Sequence, residues 1–278
     1  MKELAYYNGV ITPYDAACIP LSDRAIFFGD AVYDVIIGRE KKIYQRDEHL
    51  SRLYANAERI GLVDIPSKCE LSEVMSELAD LAEIDEFMIY IQLSADSARR
   101  AHSRSGHGVN VLITVTECNL PRTLGEIRAI TLPDRRHGIC YVKTINLLSA
   151  ILSVEEAHRR DAEIAIFHKG DTVTECSYAN VALLKQGMLI THPLDSDILP
   201  GITQANLITA ANKLGIPCIS RAFTKGELYS ADAVIITSTT KLTKLCSCID
   251  GVPIACREKE NVVKLFDELR QDLYDKTR

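Results

Sequence analysis

The first half of the chain carries two kinds of apolar pattern, one typical of strands and one typical of helices. In AYYNGVITP, two short apolar runs flank Asn8-Gly9, a dipeptide that favours a tight hairpin turn. The runs EFMIYIQLSA and GVNVLITVTE are also typical of strands, and the polar segment DSARRAHSRSGHG connects them. We therefore predict a small α+β unit in which this basic segment is exposed unless an anion or a second subunit covers it.

Two stretches between these strands repeat their apolar residues at helical spacing. EHLSRLYANAERIGL ends at Gly61, a residue type that commonly follows a helix, and SKCELSEVMSELADLAEI opens with Ser67 and Glu70 at capping-box spacing. The predicted apolar faces are Leu50, Leu53, Ala57 and Ile60 in the first helix and Leu71, Val74, Leu78 and Leu81 in the second.

The second half alternates predicted strands with predicted helices. Strands are indicated for IRAITLP, for the apolar runs of EIAIFHKGDTVTECSYANVALLKQGMLITH and for ADAVIITSTTKL. Helices are indicated for PGITQANLITAANKLGIP, for EKENVVKLFDELRQDLY and for LLSAILSVEEAHRRD, where Ile151, Val154 and Ala157 share a face. We predict two domains with α+β and α/β character: a small N-terminal domain over residues 1–118, a linker over 119–126 and a larger domain over 127–278.

Composition restricts the class of protein. The chain has 278 residues, 47% of them hydrophobic and 25% charged, which is typical of a globular protein. Its net charge is −6, with no basic block and no apolar run of about 20 residues, so neither nucleic acid nor a membrane is an expected partner. MKELAYYNGV lacks the apolar core of a secretory signal. The nine scattered cysteines, of which only Cys246 and Cys248 lie close together, favour reduced thiols in a cytoplasmic protein over a metal site.

Lys143 ends a short apolar stretch just before a predicted helix, in YVKTINLLSAIL. A buried lysine loses the hydration of its ammonium group, and its pKa falls if it gives up its proton instead. One interpretation is a surface lysine at the end of a strand. The other is a lysine held in a pocket to form an imine with a carbonyl group or with pyridoxal phosphate.

Two segments of the second half suit a phosphate. LPGITQ places Gly201, Ile202 and Thr203 at a helix start, where free backbone N–H groups and the helix dipole favour an anion. TSTTK offers the hydroxyls of Ser238 and Thr239 at the end of a strand. Each segment alone is also typical of an ordinary cap or turn.

Glu175, in DTVTECSYAN, is either an exposed strand residue or a buried carboxylate. Beside a pyridine ring, a buried carboxylate would keep the ring nitrogen protonated, and a protonated ring draws electrons from an adjacent carbanion. A lysine, a carboxylate and a phosphate cradle are together what a pyridoxal-phosphate site requires.

Several motifs, in order along nearly the whole chain, resemble those of the fold-type IV, or class IV, pyridoxal-phosphate aminotransferases. These are SDRAIFFGDAVYDV, HLSRL, KTINLL, TVTECSYAN, LPGITQ and TSTT. The resemblance implies a D-amino-acid aminotransferase-like fold, pyridoxal 5′-phosphate as cofactor and Lys143 as the Schiff-base lysine. It further implies that Arg52 grips the phosphate, that Glu175, followed by Asn180, contacts the ring nitrogen, and that the phosphate turns contain Ile202, Thr203, Ser238 and Thr239.

Within this family the chain is most similar to D-amino-acid aminotransferases. Tyr33 matches their carboxylate-binding tyrosine, and Arg100 and His102 match a loop that reaches the partner's site in a homodimer. The implied reaction moves the amino group from a D-amino acid such as D-alanine to a 2-oxo acid such as 2-oxoglutarate. Ile37 stands where branched-chain aminotransferases usually carry an arginine, which argues against that class.

Two departures keep alternatives open. Cys176 replaces the family's usual glycine, as in some 4-amino-4-deoxychorismate lyases, and residues 94–96 read SAD where D-amino-acid enzymes tend to have TRG. A lyase or another class IV aminotransferase on the same fold is the main alternative. A pyridoxal-phosphate-binding protein without enzymatic activity is a third possibility.

Overall fold

The structure is a computed structural model, and it describes residues 2–104, 106 and 108–278. The chain divides into two compact units. The first comprises Met1–Leu120, Val142–Asn146 and Leu273–Arg278, and the second comprises Pro121–Tyr141 and Leu147–Asp272. The division near residue 120 falls inside the predicted linker, whereas Lys143 and the last residues of the chain group with the N-terminal unit rather than with residues 127–278. The predicted domain bounds stay a prediction.

The first unit contains a six-stranded antiparallel sheet in the order β2-β1-β6-β5-β3-β4. Its strands are β1 (Leu4–Tyr7), β2 (Val10–Pro13), β3 (Ala31–Arg39), β4 (Lys42–Ile43), β5 (Glu86–Ala95) and β6 (Val109–Glu117). Its helices are α1 (Arg24–Phe28), α2 (Arg46–Arg59) and α3 (Lys68–Ala82), and a short 3-10 helix covers Tyr14–Ala16.

The predicted turns and caps of this unit are confirmed. Asn8 and Gly9 have φ of 46° and 93°, as a tight hairpin between β1 and β2 requires. Ser67 and Glu70 form the reciprocal capping box of α3, and Gly61 follows α2 with φ of 70°. The predicted face of α2 is buried at Leu50, Leu53 and Ala57.

The predicted face of α3 is partly wrong. Leu71 and Leu78 are buried, but Leu81 is 48% exposed, and the remaining buried positions are Met75, Ala79 and Ala82. With 3.6 residues per turn, the contacts of a straight helix drift away from a strict spacing of three or four, so the last turn presents Ala82 instead of Leu81.

The second unit contains a nine-stranded mixed sheet in the order β12-β11-β10-β13-β14-β7-β8-β9, with β15 paired to β14. Its strands are β7 (Gly125–Pro133), β8 (Ile164–Lys169), β9 (Thr172–Cys176), β10 (Asn180–Lys185), β11 (Met188–Thr191), β12 (Cys218–Ser220), β13 (Ala233–Ser238), β14 (Leu242–Ile249) and β15 (Val252–Pro253). Its helices are α4 (Leu148–Arg159), α5 (Ile202–Lys213), α6 (Lys225–Tyr229) and α7 (Lys259–Lys276), the last residues of α7 grouping with the first unit.

Helix α4 buries less of its predicted apolar face than the spacing indicates. Ala157 is fully buried, whereas Ile151 is 54% exposed, and its neighbours Leu148 and Leu152 are 69% and 58% exposed. The first turns of α4 therefore present an apolar surface to solvent. In the described part of the chain, no helix combines the length and the apolar character that crossing a membrane would need.

Candidate active site

Lys143 lies in the first unit, in a segment that borders β3 without forming a strand of its own. The backbone N–H of Tyr33 donates to the Lys143 carbonyl at 3.0 Å, and a single antiparallel bridge joins Val32 and Thr144. One interpretation of the sequence placed Lys143 at a strand end. The structure corrects this, because the pairing with β3 is too short to make a strand.

The Lys143 amine is half-buried against two stacked tyrosines. Its Nζ lies 3.4 Å from the hydroxyl oxygen of Tyr33 and 4.4 Å from the centre of the Tyr33 ring. The Tyr33 and Tyr90 rings stack with their centroids 5.3 Å apart, and the Tyr90 hydroxyl donates to Gln92 at 2.7 Å. Burial, followed by the neighbouring Tyr33, raises the pKa of Tyr90, so this hydroxyl stays protonated. The amine thus meets an aromatic surface and a phenolic oxygen.

Arg52 is held by a buried aspartate that the sequence did not single out. Its Nε and Nη2 donate to the two carboxylate oxygens of Asp34 at 2.8 and 2.7 Å, which uses two of the five guanidinium N–H donors. His49 Nδ1 lies 2.8 Å from Asp34 Oδ1, and both Asp34 and His49 are fully buried. Asp34 and His49 therefore fix the direction in which Arg52 points.

The electrostatics of this cluster are set by burial and by the arginine. Burial would raise the pKa of Asp34, but the charge of Arg52 and the hydrogen bonds from His49 and Arg52 outweigh it and hold this pKa well below its usual range. Burial lowers the pKa of His49 and outweighs the attraction of Asp34, so the imidazole is neutral at pH 7. The cluster carries one positive and one negative charge.

Arg100 and His102 are exposed on the loop that follows β5, and both flank the Phe28 ring. The Arg100 guanidinium carbon lies 5.4 Å from the ring centre, and the His102 ring centroid lies 5.6 Å from it. The sequence predicted these two residues as a pair, and the structure brings them to the same aromatic side chain. Ser105 and His107 of this loop lie outside the described residues.

In the second unit, Glu175 is a buried carboxylate one residue before the end of β9, and neighbouring groups occupy both of its oxygens. Asn180 Nδ2 and the Leu199 backbone N–H donate to Oε2 at 2.8 and 3.1 Å. The Arg136 guanidinium pairs with Oε1. Charge-assisted hydrogen bonds of this kind favour an ionised carboxylate that accepts hydrogen bonds.

Arg136 links Glu175 to a second acid. Its Nε and Nη2 donate to Asp134 at 2.9 and 2.6 Å, and its Nη2 also donates to the Asp197 carbonyl at 2.9 Å. Burial would lower the pKa of Arg136, but Asp134 and Glu175 outweigh this and raise it. Burial would raise the pKa of Asp134, yet Arg136 holds it below its usual range. Arg136 and Asp134 are therefore both charged.

The predicted phosphate turns lie at the start of α5 and at the end of β13. Gly201 caps α5 without a side chain, so the first-turn N–H groups, which have no partner within the helix, receive no side-chain cap. A Cβ at this position would lie 1.9 Å from Asn180 Oδ1, so only glycine fits. Thr203 is buried in the first turn, and Ser238 and Thr239 are half-buried where β13 turns towards β14.

Two threonines beside these turns have hydroxyls without a partner. Thr237 and Thr243 are paired across β13 and β14, and Asn180 pairs with Thr237 across β10 and β13, so the three side chains share one face of the sheet. Thr237 and Thr243 are 2% and 1% exposed, and neither Oγ1 has a hydrogen-bond partner. Helix α5 packs against β13. Buried polar groups normally find partners, so these hydroxyls indicate a place for a polar ligand or water.

Within each unit, residues are present that suit a part of pyridoxal phosphate. Lys143 offers an amine on an aromatic surface, and Glu175 offers an ionised buried carboxylate for a cationic ring nitrogen. The uncapped start of α5 and the unpartnered hydroxyl of Thr237 suit the phosphate group.

Sequence reasoning missed Asp34, Asp134 and Arg136. Asp34 had a signal, because it is an acid inside the otherwise apolar run AVYDVIIG. Asp134 and Arg136 follow β7 in PDRRHG, where a charged cluster is typical of an ordinary loop. Their role depends on Glu175, which lies 39 residues from Arg136 in sequence.

Comparisons with known proteins agree with this chemistry. The family model for amino-transferase class IV matches residues 31–247. A D-alanine aminotransferase of Listeria monocytogenes is 36% identical over 254 residues, which cover 89% of this chain and 88% of that protein.

Solved structures show the same fold. The branched-chain amino acid aminotransferase of Escherichia coli superposes with a TM-score of 0.88 at 22% identity, covering 100% of this chain and 96% of that one. The branched-chain aminotransferase of the archaeon Thermoproteus uzoniensis, solved with norvaline, has a TM-score of 0.87 at 23% identity, covering 97% and 94%. The fold-type IV architecture predicted from the sequence is confirmed.

Proposed function

The chain belongs to the class IV aminotransferases, and from this premise we propose that it transfers the amino group of a D-amino acid, such as D-alanine, to a 2-oxo acid, such as 2-oxoglutarate. The observation that carries the proposal is the Lys143 amine, which lies against the Tyr33 ring and 3.4 Å from its hydroxyl. A lysine on an aromatic surface beside a phenol is suited to bind a carbonyl group and to move a proton.

Pyridoxal phosphate, when bound, would supply the aldehyde that carries the amino group and a ring that draws electrons from the substrate's Cα. Lys143 would hold this aldehyde, and its amine would then take the proton from Cα and return it as general acid and base. Glu175 would accept the hydrogen bond of the ring nitrogen. Arg52, Ile202, Thr203, Ser238 and Thr239 would bind the phosphate.

Tyr33, Arg100 and His102 would bind the substrate's α-carboxylate. A phenol, a guanidinium and an imidazole suit a carboxylate, because each can donate a hydrogen bond to it. Fixing the carboxylate and the amine of an amino acid decides which face of Cα meets the lysine. The preference for D-amino acids is therefore assigned to these three residues.

We further propose that the chain acts as a homodimer in the cytoplasm, with the loop carrying Arg100 and His102 reaching the partner's site. The apolar surface of Leu148, Ile151 and Leu152 on α4 supports self-association, since exposed apolar patches commonly mark interfaces. All nine cysteines are free, which suits a reducing compartment. Light scattering should give twice the chain mass for the wild type and less for Ile151→Glu.

The test of the activity is a coupled assay of purified protein with pyridoxal phosphate, D-alanine and 2-oxoglutarate. We expect pyruvate to form only when a 2-oxo acid is present, and L-alanine to be a much poorer donor. Lys143→Ala should lose at least about 100-fold in rate, the usual contribution of a positioned acid–base group. Lys213→Ala, at an exposed position at the end of α5, is the matched control and should keep the wild-type rate.

Borohydride reduction and peptide mapping should label Lys143. A label on another lysine, or an unchanged rate in Lys143→Ala, would contradict the proposal. Release of pyruvate from 4-amino-4-deoxychorismate without a 2-oxo acid would favour the lyase alternative instead.

A further inference from the structure

The loop that carries Arg100 and His102 has no regular secondary structure to hold it. Both residues are exposed, and the segment from residue 96 to residue 104 belongs to no strand or helix. A site that discriminates between enantiomers needs its carboxylate-binding groups at fixed positions. Something else in the chain must hold the loop in place.

Arg24 makes the contacts that hold this loop. Its Nη1 donates to the carbonyls of Ala101 and Ser103 at 2.8 and 3.4 Å, and its Nη2 donates to the carbonyl of His102 at 3.1 Å. One guanidinium thus binds three consecutive carbonyl groups around His102. The guanidinium also lies 4.6 Å from the centre of the Phe28 ring, which Arg100 and His102 flank.

Asp30 fixes Arg24 and ties the end of the loop to the same point. Arg24 Nε donates to Asp30 Oδ2 at 2.8 Å, and Arg104 Nε donates to the same oxygen at 3.0 Å. Arg104 Nη1 also donates to the carbonyls of Ile60 and Gly61 at 2.7 and 3.0 Å, at the end of α2. The hydrogen bond from Arg104 is the largest of the effects that lower the pKa of Asp30, and those of Arg24 act in the same direction.

We propose that Arg24 is a positioning residue for substrate recognition, because it fixes the backbone of residues 101–103 and thereby sets where Arg100 and His102 meet the α-carboxylate. Arg24 is 5% exposed, and its Nε, Nη1 and Nη2 all donate to groups of the protein, so it acts through the loop and not on the substrate. The inference rests on the proposed function for the identity of the substrate, whereas the anchoring of the loop does not.

The test compares Arg24→Gln and Arg24→Lys with wild type in kinetics, cofactor binding and hydrogen exchange. We expect KM for D-alanine to rise at least about 10-fold, since each lost charge-assisted hydrogen bond is worth a factor of that order. The kcat value and the Kd for pyridoxal phosphate should change less than about twofold, because neither depends on the loop carbonyls. A lysine cannot reproduce the forked geometry of a guanidinium, so Arg24→Lys should rescue little.

Hydrogen exchange gives a readout independent of activity. In both variants, the backbone amide of Ala98, which donates to the Ser22 carbonyl at 3.0 Å at the start of the loop, should exchange at least about 10-fold faster, while the amides of β5 and β6 keep their protection. Arg99→Gln removes the same charge from an exposed position on the loop and should leave both KM and exchange unchanged.

An unchanged KM together with unchanged exchange in the Arg24 variants would overturn the proposal, as would a rise in the Kd for pyridoxal phosphate as large as the rise in KM. If Arg24→Gln does not fold, Asp30→Asn should show the same faster exchange at Ala98, and an unchanged exchange rate of this amide in that variant would also overturn the proposal. A wild-type protein that does not use D-alanine would refute the proposed function, while the exchange experiment would still test the anchor.

Discussion

Replacing Asp34 by asparagine should destabilise the folded protein by about 3–5 kcal/mol at pH 7, the usual cost of removing one partner of a buried ion pair. Asp34 is fully buried and receives two hydrogen bonds from Arg52, whose side chain is 11% exposed. Asparagine keeps the shape of aspartate but leaves the Arg52 guanidinium charged and without its counter-ion. The free energy of unfolding is measured in urea without added cofactor, so that cofactor binding does not contribute.

Two further variants show whether the lost charge is the cause. Asp47→Asn makes the same chemical change at a position 84% exposed and 3.4 Å from Arg46, where an ion pair is worth less than about 1 kcal/mol. In Asp34→Asn/Arg52→Met, both charges are absent, and this double variant should be less destabilised than Asp34→Asn alone.

The pH of the measurement matters because the folded state lowers the pKa of Asp34. A carboxylate with a depressed pKa stabilises the fold fully above its ordinary pKa of about 3.9, and this contribution disappears as the pH falls towards the depressed value. The difference between wild type and Asp34→Asn should therefore be constant from about pH 5 upwards and shrink only in stronger acid. A cost at pH 7 no larger than that of Asp47→Asn would refute this reasoning.

Three other results are expected. Gly201→Ala should weaken pyridoxal-phosphate binding at least about 10-fold in a titration, because the new Cβ would lie 1.9 Å from Asn180 Oδ1 and displace the start of α5; unchanged affinity would contradict this role of the glycine. Arg136→Met should lower the free energy of unfolding by about 3–5 kcal/mol, because it leaves Glu175 and a second acid buried without their cation, and a loss below about 1 kcal/mol would count against it. Because burial lowers the pKa of His49, the unfolded chain binds a proton at a higher pH than the folded protein does. Below about pH 6.5, the free energy of unfolding of wild type should therefore fall by up to about 1.4 kcal/mol per pH unit more than that of His49→Gln. Urea unfolding at several pH values measures this, and an equal dependence on pH in the two proteins would exclude the contribution.

Local patterns predicted most of the elements because their causes are local. The hairpin at Asn8-Gly9 and the capping box of Ser67 and Glu70 depend on a few neighbouring residues, and the structure has both. The segment of Lys143 is different, because its backbone conformation depends on pairing with β3, a strand more than 100 residues earlier. No pattern near Lys143 could show that its strand-like run would be limited to one bridge.

In the candidate site, too, features set by neighbouring residues were predicted and features set by distant residues were not. Lys143, Arg52 and Glu175 were found through motifs, which contain the residues expected to touch the cofactor. Their counter-ions were not found, because Asp34 lies 18 residues before Arg52 and the partner of Glu175 lies 39 residues before it, at spacings that only the fold sets. Ile151 shows the opposite error, since helical spacing indicated burial where the side chain is 54% exposed. Periodicity shows that a face is apolar and does not show what covers it.

The charges within each cluster match the group that it is proposed to serve. Around Glu175, the single cation Arg136 stands between two carboxylates, so this cluster keeps an excess negative charge that suits a protonated ring nitrogen. Beside the loop that carries Arg100 and His102, Asp30 pairs with both Arg24 and Arg104, and this cluster keeps an excess positive charge that suits a carboxylate. Buried ion pairs contribute little net stability over apolar packing, so stability alone does not account for such arrangements. These arrangements are accounted for if each cluster holds a fixed charge of the sign that its proposed ligand group requires, with a counter-ion of the same chain keeping that charge in place.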